Sequence, residues 1–387
     1  TPAQAQKSIE AYGADKVLDV VKSNPYQLAR NKAIRGVGFV TVDTKIAPHL
    51  GITPDNPFRI AAGVEYTLEE GMARGNVYLP SMVLREQAGR VLGGRPSGEA
   101  LAAERIVVND EGRVYLSRMH RAETEFARAL VERMRVGEKL EALKPSELEQ
   151  FEQTTGVKLS EEQVAAVSLC IVEPVCVLTG GAGRGKTMIV RAIIFILQLR
   201  KKVSVLAAPT GRAARVMADA TKYGASTIHR LIGMKSEEEI SGNAGAFDGK
   251  DVLILDETSM LDQSLGHSVL RQLPLHVKLI LVGDPNQLPS VGPGRVLNNI
   301  IDSGVIPVAR LKKIFRQAAS SEIIAAADMM LEGFCPTPSP YREGVFREGQ
   351  FGFIELEAPE INRAICELYA QARAAGISGS LRPDPTT

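Results

Sequence analysis

One short stretch of the sequence constrains the fold more than any other. The octapeptide GGAGRGKT, residues 180–187, follows the apolar run Val175–Leu178 and precedes a stretch that predicts a helix from about Lys186 to Leu199. Its glycines let backbone N–H groups converge without β-carbon clashes, and the following helix adds the positive end of its dipole. A strand, a glycine loop and a helix in this order predict a phosphate-binding loop, which disfavours the alternative of a chance glycine-rich turn.

From about residue 150 onward, apolar runs alternate with helical stretches. Runs that are apolar throughout suit parallel strands covered on both faces, and their alternation with helices predicts a doubly wound α/β domain over residues 146–387. A helix over Pro359–Ala374 is expected to close it. The expected strands are Val175–Leu178, Val203–Ala207, Val252–Leu255, Val277–Val282 and Phe351–Glu355.

Two smaller units are predicted before this domain. Residues 1–80 are expected to be mainly helical, with the loop Gly36-Val37-Gly38 between two helices. Residues 81–145 are expected to form a small α+β unit, with strands at Ile106–Val108 and Arg113–Leu116 and a helix from about Arg121 to Met134. The backbone N–H groups of a Gly-x-Gly loop can bind phosphates, although a plain turn fits the same residues.

The run Val252–Leu255 ends in two carboxylates, Asp256 and Glu257. Downstream of a phosphate-binding loop, the first of these is suited to hold Mg²⁺ together with the hydroxyl of Thr187, and the second to activate an attacking water. Lys186 would contact the β- and γ-phosphates. The alternative is a strand end with a capping aspartate.

A further apolar run ends in Gly283-Asp284-Pro285-Asn286-Gln287-Leu288-Pro289. Ligands of open α/β sheets bind at the carboxyl ends of the strands, so Gln287 is placed to sense a γ-phosphate or a water. A plain Asp-Pro-Asn turn is the alternative.

The overall charge balance does not indicate which class of molecule the protein binds. Lys+Arg is 46 and Asp+Glu is 45, so any basic contact surface must be local. No apolar run approaches the roughly 18 residues of a membrane-spanning helix, and no signal peptide is visible. The four cysteines form no CxxC pair, which favours reduced thiols in a cytoplasmic protein.

The order of these motifs resembles that of superfamily 1 helicases, and their details resemble the RecD-type branch, superfamily 1B. The resemblance covers roughly residues 10–375 and implies a RecA-like P-loop domain, preceded by helix–hairpin–helix and winged-helix-like units. The matching stretches are Ser160–Gln163 (Q motif), Gly180–Thr187 (I), Ala208–Ala214 (Ia), Ser226–Leu231 (Ib), Asp256–Met260 (II), Gly283–Pro289 (III), Leu311–Gln317 (IV) and, before the motor, Asn24–Tyr26 and Arg35–Phe39.

The resemblance assigns further roles to residues. It implies that Gln163 contacts adenine, where the residue pattern alone allows a solvent-facing helix position, and that Arg316 reaches the γ-phosphate. It places DNA at Pro209, Thr210 and His229, although His229 also fits a buried helix-cap position, and at Gly36 and Gly38. The implied nucleotide contacts are Gln163, Gly180, Gly181, Ala182, Gly183, Arg184, Gly185, Lys186 and Thr187.

The function implied by the resemblance is ATP- and Mg²⁺-dependent 5′→3′ translocation on single-stranded DNA, with unwinding at duplex junctions, in recombination or repair. Subunits of a recombination or nuclease complex are possible partners. Two alternatives stay open: a small-molecule kinase, and a non-catalytic DNA-binding subunit with a vestigial nucleotide site. The intact Lys186, Thr187, Asp256, Glu257 and Gln287 disfavour a vestigial site.

The chain departs from the family pattern in two respects. Ala182 and Arg184 stand where the family has Pro and Thr, and Arg184 is expected to add charge near the phosphates. Motifs V and VI are not found, so a second motor domain is expected beyond Thr387, and the chain alone is expected to bind nucleotide weakly and to be poorly active. The position of residues 232–249 resembles that of the strand-separating pin in RecD-type helicases, and an idle surface loop is the alternative.

Overall fold

The computed structural model describes residues 2–31, 33–34, 36–94, 96, 105–234, 245–313, 322–337, 339–340, 352–354 and 356–374. Within these residues, one hydrophobic cluster organises the N-terminal third, and one lies on each face of a parallel sheet. None of the described helices is both long and apolar enough to cross a lipid bilayer. Most of the expected pin, residues 235–244, lies outside the described residues.

The predicted helical N-terminal region is confirmed. Its longest helix is capped by Asn56, whose side chain accepts hydrogen bonds from the N–H groups of Phe58 and Arg59, and it begins at Pro57, which suits the first helical position. The helices are α1 (Pro2–Tyr12), α2 (Ala14–Ser23), α3 (Gln27–Arg30), α4 (Phe39–Lys45), α5 (Pro57–Ala73) and α6 (Ser81–Leu92), with a 3₁₀ turn at Ala47–Leu50.

A small antiparallel sheet completes this region. Its strands are β1 (Leu79–Pro80), β2 (Ile106–Val108) and β3 (Arg113–Leu116), in the order β1-β3-β2, so both predicted strands are confirmed. Val114 of β3 is buried in the same cluster as Leu68 of α5. The helices and the small sheet therefore share one core.

The next helix, α7 (Ser117–Val136), follows β3 directly and is longer than predicted. Its buried Phe126 and Leu130 belong to the same hydrophobic cluster as Val175 and Leu253, which lie on strands of the large parallel sheet. The helix thus covers part of one face of that sheet. The domain boundary between residues 145 and 146 stays a prediction.

The predicted doubly wound sheet is confirmed. Six parallel strands lie in the order β6-β5-β7-β8-β4-β9. The four with continuous apolar runs are the central strands, which need cover on both faces. The strands are β4 (Val175–Gly180), β5 (Ser204–Ala208), β6 (Ala225–Thr227), β7 (Val252–Leu255), β8 (Lys278–Gly283) and β9 (Val308–Leu311).

Helices cover both faces of this sheet. Val167 and Ile193 pack on one face, whereas Leu265 and Ile300 pack with α7 on the other. The helices are α8 (Pro145–Thr155), α9 (Glu161–Val172), α10 (Lys186–Leu199), α11 (Gly211–Thr221), α12 (Ile228–Leu231), α13 (Gln263–Gln272) and α14 (Val296–Ser303).

The prediction for Phe351–Glu355 as a strand of the large sheet is wrong. Its described residues contribute β11 (Gly352–Phe353), which pairs with β10 (Ser339–Pro340) in a separate two-stranded sheet. The edge of the large sheet beside β4 is occupied by β9, whose residues alternate in burial as an edge strand allows. Two helices complete the described chain, α15 (Glu322–Leu331) and α16 (Ile361–Ala374), the latter preceded by a 3₁₀ turn at Ala358–Glu360.

Candidate active site

The loops after three central strands meet at one edge of the large sheet. β4 pairs with β8 so that Thr179 lies opposite Gly283, and β7 pairs with β8 so that Leu255 lies opposite Leu281. All three strands run in the same direction, so their carboxyl ends share this edge. The predicted motifs I, II and III therefore lie next to one another.

The glycine loop after β4 has a tight backbone. Gly183 and Gly185 have φ angles of 68° and 83°, in the left-handed region that residues with a β-carbon rarely adopt. Helix α10 begins directly after Gly185 at Lys186, as predicted. The Lys186 Nζ donates to the carbonyl oxygens of Gly180 at 2.6 Å and Gly181 at 3.1 Å. The ammonium group thus lies against the loop whose N–H groups would receive phosphates.

Asp256 follows β7 and faces the same edge. Burial raises the pKa of Asp256 to about 6, and the Glu257 charge adds to this, whereas the Lys186 ammonium acts in the opposite direction. A half-buried carboxylate within electrostatic reach of the loop lysine is an oxygen donor of the kind that Mg²⁺ prefers. Thr187 is exposed in the first turn of α10 and offers its hydroxyl at the same edge. The residues therefore fit a Mg²⁺–nucleotide complex.

Glu257 has an unusual backbone conformation. Its φ and ψ angles are 51° and 41°, in the left-handed region. For a residue with a β-carbon this costs about 1–2 kcal/mol, and such outliers concentrate at functional sites. The strained turn points the chain back toward β8.

Hydrogen bonds join motif II to motif III. The Thr258 hydroxyl donates to the carbonyl oxygen of Val282, and a β-carbon on Gly283 would lie 3.2 Å from the nitrogen atoms of Thr258 and Ser259. A side chain at position 283 would have to displace Leu297 and crowd this backbone, which favours glycine there. The Ser259 hydroxyl donates to Gln287 Oε1 over 3.3 Å, which fixes the exposed Gln287 beside the motif II turn.

An open cleft of about 580 Å³ adjoins the glycine loop and includes Gln163. Gln163 is 3% exposed, so the alternative of a solvent-facing position is wrong. Its Oε1 accepts from the N–H of Ser160, and the Ser160 hydroxyl accepts from the N–H of Gln163, so the residue also caps α9. The cleft is lined by Val157, Lys158, Gln163, Gly181, Gly183, Arg184, Gly185, Lys186, Thr187 and Met188.

Arg184 lines the cleft, and its guanidinium forms an ion pair with Asp328. Its Nη2 donates to Asp328 Oδ1 at 2.8 Å, on α15. Arg316, the expected γ-phosphate contact, lies outside the described residues.

Three of the candidate DNA-binding residues lie farther along the same sheet edge. Pro209, Thr210 and His229 follow β5 and β6 at the same carboxyl edge as the glycine loop, on the far side of β7 and β8. The Thr210 hydroxyl accepts from the N–H of Ala213 and so caps α11. His229 is exposed, so a buried helix-cap histidine is wrong.

Gly36 and Gly38 are exposed on either side of the buried Val37. Gly36 has a φ angle of 84°, and its carbonyl oxygen accepts from Gln4 Nε2 at 2.8 Å. Gly38 directly precedes α4.

Sequence reasoning did not single out Glu162, Ser259 or Asp328 for a role. Ser259 follows the motif II acids directly, so its position was a usable signal. Glu162 contacts the chain 150 residues away and Asp328 contacts Arg184 144 residues away, and no local pattern marks such pairs.

Comparison with known proteins agrees with this geometry. Residues 158–338 match a family described as an AAA domain, and residues 1–78 match the ATP-dependent RecD2 DNA helicase HHH domain. The ATP-dependent RecD2 DNA helicase of Deinococcus radiodurans is 30% identical over 357 residues, covering 86% of this chain and 48% of that protein. The RecBCD enzyme subunit RecD of Mycolicibacterium smegmatis is 32% identical over 193 residues, covering 43% of this chain and 35% of that protein.

The chain thus spans about half or less of the length of these relatives. The crystal structure of Pif1 helicase from Candida albicans matches 49% of this chain and 50% of its own, at 26% identity and a TM-score of 0.38, which is too low to support a conclusion about the fold. The sequence relatives and the N-terminal match agree with the motif order along the sheet: over most of its length, the chain is similar to the RecD-type branch of the superfamily 1 helicases.

Proposed function

We propose that the protein containing this chain is an ATP-dependent DNA helicase that translocates 5′→3′ on single-stranded DNA. The observation that carries the proposal is the meeting of three motifs at one sheet edge. There Lys186, Asp256 and Gln287 follow adjacent strands beside the cleft that Gln163 lines. The polarity is supported by the family resemblance alone.

In this proposal each residue has a defined part in ATP hydrolysis. The N–H groups of the glycine loop and the Lys186 ammonium bind the phosphates, and Gln163 contacts the base. Thr187 and Asp256 would hold Mg²⁺, which would neutralise phosphate charge. Glu257 accepts a proton from the attacking water, and Gln287, oriented by Ser259, senses the γ-phosphate. Arg316 adds positive charge at the γ-phosphate.

In this proposal, DNA also binds at this edge of the sheet. Three strand spacings, or about 14 Å, separate β4 from β5, which precedes Pro209 and Thr210, and a fourth separates β4 from β6, which precedes the exposed His229. These residues therefore lie along the same sheet edge as the nucleotide loops. The exposed Gly36 and Gly38 would bind duplex phosphates through N–H groups. We expect cytoplasmic action in recombination or repair, with nuclease-complex subunits as candidate partners.

The test is an ATPase assay with and without single-stranded DNA, beside strand displacement on duplexes with a 5′ or a 3′ tail. DNA-stimulated hydrolysis and unwinding of the 5′-tailed duplex are the expected results. A rate of ATP consumption that is unchanged by DNA but rises when a small-molecule phosphoryl acceptor is added would instead indicate a kinase. DNA binding without any hydrolysis would indicate a vestigial nucleotide site.

A further inference from the structure

One arginine of the glycine loop contacts a helix that lies outside the three hydrophobic clusters. Arg184 lines the nucleotide cleft, and its guanidinium forms an ion pair with Asp328 of α15. Phosphate oxygens bound by the loop would attract the same guanidinium. We propose that Asp328 competes with the nucleotide phosphates for Arg184, so that nucleotide binding releases α15 from the glycine loop. This inference rests on the nucleotide binding proposed above.

The Arg184 side chain lies across the glycine loop. A β-carbon on Gly181 would lie 3.1 Å from Arg184 Nε and 3.5 Å from its Cζ. The Nη2 atom donates to Asp328 Oδ1 at 2.8 Å, and the Nη1 atom donates to the carbonyl oxygen of Leu311, at the end of β9, over 3.4 Å. The buried Nε has no hydrogen-bond partner among the described residues. The guanidinium is therefore within reach of the loop and is incompletely hydrogen-bonded.

The ion pair between Arg184 and Asp328 is of a kind that a phosphate group can displace. Nη2 and Oδ1 form a single hydrogen bond, and the two side chains are 21% and 30% exposed, so water screens their attraction. Arginine can instead form two parallel hydrogen bonds with a phosphate, and a nucleotide carries more negative charge than one carboxylate. The phosphates should therefore displace Asp328, and the need to displace it should lower nucleotide affinity.

The low burial of α15 makes this ion pair a large part of the helix's attachment. Ala326 is buried, whereas Ile323 and Met330 are 53% and 54% exposed. None of the residues of α15 belongs to the three hydrophobic clusters that the described parts of the chain form. An element with few buried apolar contacts opens at a low cost in free energy. Removal of the ion pair should therefore make the helix open more often.

The competition acts in both directions. Coupling between two binding events is reciprocal, so a nucleotide that weakens the contact between Arg184 and Asp328 must bind more tightly when that contact is absent. For a partly exposed ion pair the expected factor is about 2- to 5-fold in affinity. Repulsion between the Asp328 carboxylate and the phosphates would also favour tighter binding once the carboxylate is removed, but that effect would not require Arg184.

Hydrogen–deuterium exchange of residues 322–331, together with ADP binding, tests the inference in the full-length protein. ADP with Mg²⁺ should speed exchange in this helix about 2- to 5-fold. Asp328→Asn should exchange at the faster rate without ADP, and it should bind a fluorescent ADP analogue about 2- to 5-fold more tightly. Arg184→Thr removes the shared partner, so adding Asp328→Asn to that variant should leave its ADP affinity unchanged.

Glu367→Gln on α16 is the control variant. Glu367 pairs with Arg363 in an ion pair whose side chains are 56% and 84% exposed, and its loss should change neither measurement. Exchange at residues 322–331 that bound ADP leaves unchanged or slows would overturn the inference, as would an Asp328→Asn variant that binds ADP no more tightly. An equal gain in affinity from Asp328→Asn with and without Arg184 would also overturn it, because it would show simple repulsion. If the unaltered protein binds no ADP, the proposed function itself is contradicted.

Discussion

Arg133 of α7 donates from Nη2 to the carbonyl oxygen of Leu273, at the end of α13, over 2.8 Å. Its Nη1 donates to the carbonyl oxygen of Pro274 at 2.9 Å, and the side chain is only 1% exposed. Burial lowers the pKa of Arg133 to about 10. A buried guanidinium thus connects the helix that follows the small sheet to the end of α13, across 140 residues of sequence.

Arg133→Met should destabilise the protein. Methionine fills the apolar path of the side chain but leaves the carbonyl oxygens of Leu273 and Pro274 without donors, at a cost of about 2–4 kcal/mol. Urea unfolding measures the difference. The matched control is Arg128→Met on the same helix, since Arg128 is exposed and its loss should be near neutral. Equal stability of the two variants would contradict the importance of the buried contact.

Lys186→Ala should abolish ATP hydrolysis. The ammonium group that now contacts Gly180 and Gly181 is the main cation available to the γ-phosphate beside the glycine loop. Steady-state ATPase activity is the measurement, with circular dichroism to confirm that the variant folds. Turnover near that of the unaltered protein would remove Lys186 from its assigned role.

Glu257→Gln should separate binding from chemistry. Affinity for ATP and Mg²⁺ should persist, while hydrolysis slows by roughly 10²–10⁴-fold as expected for loss of a general base. Equilibrium binding of a fluorescent ATP analogue and single-turnover hydrolysis measure the two quantities separately. If binding is lost along with hydrolysis, Glu257 is structural.

The backbone of Glu257 gives a second, independent prediction. Glu257→Gly and Glu257→Ala both lack the carboxylate, but only glycine adopts φ 51° without strain. The glycine variant should therefore be more stable than the alanine variant by about 1 kcal/mol, although both are inactive. Thermal unfolding of the two variants measures this difference. An alanine variant that is as stable as the glycine variant, or more stable, would show that the backbone at position 257 is not strained.

Ser259→Ala should lower kcat by about 3- to 10-fold without changing KM, since a hydrogen bond of about 1 kcal/mol orients Gln287. The Gln287→Ala variant provides the comparison. Adding Ser259→Ala to the Gln287→Ala variant should lower kcat little further. If the two changes lower kcat independently, the two residues act separately.

The sequence predicted the features that residues close together in the chain determine, which are the central strands and the short motifs. The central strands β4, β5, β7 and β8 are continuous apolar runs because helices cover both of their faces. The glycine loop and its flanking acids were found because phosphate and Mg²⁺ chemistry fixes residue types at short spacings. Both edge strands, β6 and β9, were missed because they are short and partly polar.

What the sequence did not predict depends on distant pairs. Arg184 was expected beside the phosphates, yet its partner Asp328 lies 144 residues away. Phe126 was assigned to a separate unit, although its ring packs in the cluster that contains Leu253. Periodicity shows that a helix has an apolar face, but it does not show which distant surface that face will cover.

The packing of α7 has a consequence for synthesis on the ribosome. The helix emerges well before α13, because Arg133 precedes its acceptor Leu273 by 140 residues. At ordinary elongation rates this interval is on the order of ten seconds. During that time the apolar face around Phe126 and Leu130 is covered only in part, because β8 and the rest of its cluster are synthesised later, and a nascent chain with such a face is a substrate for chaperones and a risk for aggregation. The core on this face of the large sheet is therefore completed only after α13 and β8 have been synthesised.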